Sequence, residues 1–215
     1  TKKENRLLFI DSKKPRISKM SPRRNSVVNG SDFYVKFRED NLNKVIIYYG
    51  NKSTSVTNCV KDRKYTICHA SLNLTEYESK YLEYWFEVSD GTNNVKSKKV
   101  RVFVDTISPE LIVYLPEDNR TYGLKVPFNI AISEEVKLEY YDNLESRPRW
   151  RKLCRRCDEY GFEKEKTKRF KRGSHNVLIR ATDKSGNLDI SETSFRVEYW
   201  LILPTKSGKQ CLYKN

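Results

Sequence analysis

Glycine, methionine and histidine are all scarce in this chain. Among 215 residues there are 8 Gly, 1 Met and 2 His. So little glycine excludes a flexible linker, and one Met excludes a Met-rich adaptable binding surface. With only His69 and His175, acid–base and metal chemistry have few donors to draw on. There is no Gly-x-Ser-x-Gly, no His-Glu-x-x-His and no phosphate loop. Carboxylate pairs do occur, Glu39-Asp40 and Glu134-Glu135, but both sit at the ends of predicted strands, one in each half of the chain. An active site is rarely built twice in one chain, so a structural role is expected for both. No catalytic residue, cofactor, metal or small-molecule substrate is expected.

Long apolar runs are missing too. Nothing approaches the roughly 18 residues needed to span a bilayer, and Trp200-Leu201-Ile202-Leu203-Pro204 is far too short. No signal peptide stands at Thr1, so a mature form or an excised fragment is expected, which leaves an anchor in a longer parent open.

What is present is charge and aromatic side chains. Hydrophobic content is only 37%, yet 14 Tyr, 9 Phe and 3 Trp suffice for two thin cores. Charged residues make up 33%, a Lys- and Glu-rich balance of the kind found in hyperthermophiles. The net charge of +14 favours polyanions: nucleic acid, anionic lipid, acidic glycan or an acidic protein lattice. The plainer alternative is a lysine-rich proteome and a solvated face.

The local pattern is that of short strands. Leu7 to Ile10 is a short apolar strand, and the Lys-, Arg-, Ser- and Pro-rich residues 11–29 read as an irregular crossing or edge segment. Phe33, Val35 and Phe37 alternate inward. Residues 44–49 form a second strand, closed by Gly50-Asn51. Cys59 and Cys68 bracket a hairpin with the charged tip Lys61-Asp62-Arg63-Lys64. Residues 81–88 put Leu82, Tyr84, Phe86 and Val88 on one face, and residues 98–104 close this half. The second half repeats the first. Phe128, Ile130 and Ile132 follow Phe33, Val35 and Phe37 by 95 residues, as Cys154 follows Cys59. Tyr140-Tyr141 answers Tyr48-Tyr49, the turn at 183–187 answers that at 90–94, and residues 195–199 answer 100–104. A repeat of about 95 residues built from short strands has the size of an immunoglobulin-like sandwich. The fold expected is all-β: two tandem Ig-like antiparallel β-sandwich domains. Residues 1–106 form the first. Residues 107–215 form the second, with a basic loop insertion and a short C-terminal tail.

Two segments carry a resemblance. One is Phe170-x-x-Gly173-x-His175, followed by Ile179-Arg180-Ala181-Thr182-Asp183 and Gly186-Asn187. The other is the link Val104-Asp105-Thr106-Ile107-Ser108-Pro109. Together they resemble the terminal hairpin and the connector of tandem Ig-like repeats on prokaryotic, in particular archaeal, cell-surface proteins. The resemblance spans roughly residues 5–200. It implies a spacing, lattice or adhesive role, and it implies that His175 belongs to the repeat itself and is structural. A fold of this kind hosts many unrelated jobs.

Cys154-Arg155-Arg156-Cys157 admits three chemistries. A redox dithiol lacks its thioredoxin-like context, and half a zinc site lacks a second pair of ligands. A local disulfide needs only an oxidising compartment and is favoured. Cys59 has a partner across its hairpin in Cys68, so two intradomain disulfides are expected. Cys211 is left over, free or bonded to another chain. Four sequons, at Asn29, Asn51, Asn73 and Asn119, fall in predicted loops and are candidate glycosylation sites. Asp183-Lys184-Ser185-Gly186-Asn187, with Asp105, could suggest a Ca²⁺ site, but Lys184 among the ligands favours a plain turn.

Residues 147–172 are dense in cations, with Arg147, Arg149, Arg151, Arg155, Arg156, Lys168, Arg169 and Arg172 as polyanion-binding candidates. Trp150, Tyr160, Phe162 and Phe170 interleave with them. Such a stretch can hold a nucleic-acid strand by charge and stacking, or an acidic glycan or lipid. The plain alternative is a basic loop whose aromatics pack onto the sandwich. Taken together, the sequence points to a non-enzymatic extracellular structural or adhesive protein, part of a surface layer, filament or adhesin stalk. Its partners would be other surface subunits, including copies of itself. Residues 7–10 and 199–203 are candidates for exchange between subunits. A surface-enzyme module for acidic glycans is the alternative, and a nucleic-acid binder comes third.

Overall fold

The computed structural model describes residues 13–31, 33–205 and 208–213, with side chains up to residue 199. Leu7 to Ile10 therefore lie outside the described residues, as do the side chains of Cys211 and of residues 200–203. Contacts divide the chain into two units, Thr1–Thr106 and Ile107–Asn215.

Among its described residues the first unit contains ten strands: β1 (Arg16–Ser21), β2 (Val27–Val28), β3 (Phe33–Arg38), β4 (Lys44–Tyr49), β5 (Lys52–Ser55), β6 (Asn58–Asp62), β7 (Tyr65–Ala70), β8 (Tyr81–Ser89), β9 (Asn94–Lys96) and β10 (Val100–Val104). One sheet has the order β1-β3-β7-β6 and the other β2-β10-β8-β4-β5. In the lettering of immunoglobulin sandwiches these are A-B-E-D and A′-G-F-C-C′. The alternating residues drive this arrangement. Phe33, Val35 and Phe37 on one sheet, and Leu82, Tyr84, Phe86 and Val88 on the other, are all at most 2% exposed and share one core. The Tyr84 hydroxyl donates to the Pro22 carbonyl within it.

The second unit contains β11 (Leu111–Leu115), β12 (Arg120–Tyr122), β13 (Lys125–Asp142), β14 (Arg151–Tyr160), β15 (Lys166–Arg169), β16 (Gly173–Thr182), β17 (Leu188–Val197), β18 (Trp200–Thr205) and β19 (Gly208–Tyr213). Its longest strand, β13, serves both faces. Its first half pairs with β11 and β15, and its second half with β16. The second unit is likewise an all-β, Ig-like sandwich, but β14 and β15 each pair with β13 and not with one another, unlike β6 and β7 of the first. Among the described residues each unit also has one parallel pair, β2 with β10 and β12 with β17.

Three sequence expectations need correction. Residues 147–172 are not simply a loop insertion, because β14 and β15 run along β13, with Leu153, Cys154 and Cys157 packed against the core. The end of the chain is not a plain tail: β18 and β19 pair as a hairpin of their own. The repeat is also out by small steps after its first strand. Tyr48 pairs with Trp85 on β8, and Tyr141 pairs with the corresponding Leu178 on β16. Tyr141, not Tyr140, therefore answers Tyr48. A one-residue slip reverses the face, and Tyr140 is a core residue at 5% exposure. Likewise Phe195, opposite His175, answers Val102, opposite Leu82. Cys154 pairs with Leu138 on β13, whereas Cys59 lies on the β6–β7 hairpin, so their numerical spacing reflects no equivalence.

Candidate functional site

Six basic residues of the second unit converge on one cavity of about 940 Å³. Its walls are the segment between β13 and β14, the start of β14, the end of β15 and the start of β16. Asp142, at the end of β13, fixes the first of these. Its Oδ1 accepts the Leu144 N–H at 3.1 Å, and Asn143 donates from its backbone to the Asn176 carbonyl at 2.9 Å. Further on, the Trp150 ring lies 5.4 Å from Tyr141 and beneath the Arg180 guanidinium at 4.0 Å, which pins the segment to the outer face of the sheet.

The opposite wall is held by His175, buried at the base beside Phe170. Its Nε2 donates to the Lys171 carbonyl at 2.9 Å, and its Nδ1 is bonded to Asp142 Oδ2 at 2.6 Å. A buried histidine thus ties the 170–172 segment to the end of β13.

Six cations line the space: Arg147, Arg149, Arg151, Arg169, Lys171 and Arg172. Two have carboxylate partners. Arg151 Nη2 donates to Glu145 Oε2 at 2.6 Å, and Arg172 Nε to Glu198 Oε2 at 2.9 Å. Arg196 and then Arg172 hold the Glu198 carboxyl below the usual glutamate value. Arg147, Arg149, Arg169 and Lys171 have no ion-pair partner among the described residues and are exposed. Four solvated cations around a concavity attract anions over a distance set by ionic strength, about 8–10 Å near physiological salt.

Of the polyanion-binding candidates, Arg147, Arg149, Arg151, Arg169 and Arg172 meet at this cavity, joined by Lys171. Arg155, Arg156 and Lys168 are not among its lining. β14 is ten residues long, and at about 3.3 Å per residue it carries Arg155 and Arg156 well away from Arg151. Arg156 instead lies 3.8 Å from Glu135. Three of the four interleaved aromatics are committed to packing: Tyr160 and Phe170 in the core, Trp150 on the sheet. Phe162 is exposed, against Tyr114. The stacking platform that a single nucleic-acid strand needs is therefore not at the cavity.

Cys59 and Cys68 are disulfide-bonded across the β6–β7 hairpin with Cα atoms 4.0 Å apart, and Cys154 and Cys157 are bonded within β14. Asn51, Asn73 and Asn119 are exposed and Asn29 is half-buried. In two sequons the +2 hydroxyl donates to the asparagine, Ser31 to Asn29 at 2.7 Å and Thr75 to Asn73 at 2.8 Å. The Asp183 carboxylate is occupied by its own turn, accepting from Ser185 Oγ and from the backbone of Gly186 and Asn187.

No protein-family model matches the sequence, and no curated protein is detectably similar to it. Among solved structures, the fibronectin(III)-like modules of Clostridium thermocellum CbhA share 16% identity over 86% of this chain and 94% of theirs, with a TM-score of 0.46. The N-terminal Ig1-2 module of the Drosophila receptor protein tyrosine phosphatase DLAR shares 13% identity over 86% and 98%, at 0.28. A chimeric titin Z1Z2 tandem shares 10% over 86% and 100%, at 0.30.

Proposed function

We propose that this chain is a non-catalytic contact module of an extracellular cell-surface assembly, and that it holds an acidic partner at the basic cavity of its second unit. The observation that carries this reading is the convergence of six cations on one cavity, four of them without a carboxylate partner. Binding there is electrostatic, with no bond made or broken. The two disulfides and the accessible sequons support an oxidising, extracellular setting. The Lys- and Glu-rich composition and the resemblance of residues 104–109 and 170–187 support a prokaryotic, archaeal-type surface protein. The acidic partner is a neighbouring surface subunit or an acidic glycan.

The test is retention of the native protein on an immobilised sulfated polysaccharide, read as the salt needed for elution. Arg147→Ser/Arg149→Ser/Lys171→Ser is expected to elute at distinctly lower salt, and Arg155→Ser/Arg156→Ser to change little. Equal shifts for both variants would mean diffuse net charge and would sink the cavity as a site.

A further inference from the structure

We infer that the open edge of β1, in the first unit, is a strand-addition site for an extended acidic peptide. The inference is independent of the cavity in the second unit and rests on a different set of residues. β1 ends its sheet. It pairs with β3 on one side, and no strand pairs with its other edge among the described residues. Such an edge presents backbone N–H and C=O groups that a second chain can complete. Beside it, between β1 and the segment that joins β9 to β10, lies a groove of about 620 Å³. On the far side, β2 pairs with β10 only at Phe103 and Val104, so this parallel cover does not extend to Val100.

The lining states the partner's chemistry. Its apolar members include Ile17, Met20, Val95 and Val100. Ile17, Met20 and Val100 also pack against the core of the unit. Arg16, Lys19, Arg23, Arg24, Lys96 and Lys98 are its charged members, with no acidic residue among the lining. Among the described residues only Lys96 of these has a carboxylate nearby, Glu87 at 3.6 Å. A strand alternates its side chains between two directions. A peptide alternating aliphatic and acidic residues would set its aliphatic side chains into the groove, lay its carboxylates among the cations and pair its backbone with β1. A polysaccharide or nucleic acid would match the charge, but it has no backbone to pair with an open strand edge and no side chains for the aliphatic lining.

The experiment uses the full oxidised chain and a fluorescent Glu-Val alternating decapeptide, read by anisotropy. Three comparators accompany it: the Lys-Val counterpart, the Glu-Val peptide N-methylated at every second residue, and heparin. The Glu-Val peptide is expected to bind, the Lys-Val peptide not to. N-methylation, which removes donors and blocks pairing without altering charge, is expected to abolish binding. Arg24→Glu/Lys98→Glu, two exposed positions, is expected to raise Kd by at least about tenfold. Arg147→Ser/Arg149→Ser, in the second unit, is expected to leave it unchanged, which separates this site from the one proposed above. Binding of the N-methylated peptide as tight as the parent, or full displacement by heparin alongside that result, would reduce the groove to a polyanion patch and overturn the inference. So would no binding of the Glu-Val peptide up to about 1 mM, where affinity is only about 4 kcal/mol. Because the comparison of peptides uses the unaltered protein, the outcome stands even if the charge-reversal variant does not fold.

Discussion

Phe170 touches more rings than any other side chain in the described chain. Phe128, Tyr140, His175 and Phe195 all lie within 6.2 Å of it, and it is 5% exposed. Phe170→Ala is expected to cost about 3–5 kcal/mol, measurable by denaturant unfolding. Because the same residue floors the basic cavity, elution from a polyanion column should fall with it. Glu139 offers a pH test. Burial alone would raise its carboxyl, but hydrogen bonds from Lys137 and Arg180 outweigh this and hold it below the usual 4.5. A carboxyl depressed in the folded state stabilises above its unfolded value, and that stability is lost as pH falls through the folded one. Unfolding midpoints should therefore drop as pH falls below about 4.5, and Glu139→Gln should flatten that acid limb. Single residues were only partly legible in the sequence. Inward positions such as Phe33 and Tyr84 followed from alternation alone. Tyr140 did not, since two adjacent tyrosines look alike until a neighbouring strand sets the register.

At the scale of elements, Gly161 joins β14 to the segment that leads into β15. Its φ is +93°, and a Cβ there would meet the Phe128 carbonyl oxygen at 2.0 Å. Gly161→Ala is thus expected to destabilise the second unit by more than about 1 kcal/mol, seen as a lower unfolding midpoint. The β6–β7 hairpin supplies a second test. The Cys59–Cys68 bond closes a separation of nine residues, and Cys59→Ala/Cys68→Ala is expected to cost about 2–3 kcal/mol. An unaltered midpoint would mean that the pair is reduced in the native protein. Strands with one face buried, β3, β8 and β16, were legible as period-two patterns. β14 was not. Among the described residues it pairs on one side only, with β13, and its Arg-Lys-Leu-Cys-Arg-Arg-Cys sequence is buried too unevenly to alternate. Its strand state is set by the backbone of β13, which no local pattern reports. The groove beside β1 was hidden for a related reason: its cations come from residues 16–24 and 96–98, distant in sequence and joined only by the topology.

For the whole molecule, the duplication was readable because the first inward strand of each unit repeats at 95 residues. Beyond it the structural correspondence runs at 93, as Tyr48 with Tyr141 and Asp90 with Asp183 show. The difference lies between the first and second inward strands, β3 and β4. In the first unit β3 and β4 are separate, while in the second one strand, β13, turns from one sheet to the other without a break.

The parallel pairs have a mechanical meaning. Within each unit an early strand lies beside the last sandwich strand and runs in the same direction: β2 with β10, β12 with β17. If a unit is stretched by its ends, the two members of such a pair are drawn in opposite senses along their length, so their hydrogen bonds bear load together rather than one after another. Under such a pull each unit is expected to resist through this pair. In single-molecule pulling the second unit, whose pair is three residues long against two, should yield at the higher force. Thr121→Pro, in the middle of β12, should remove that advantage.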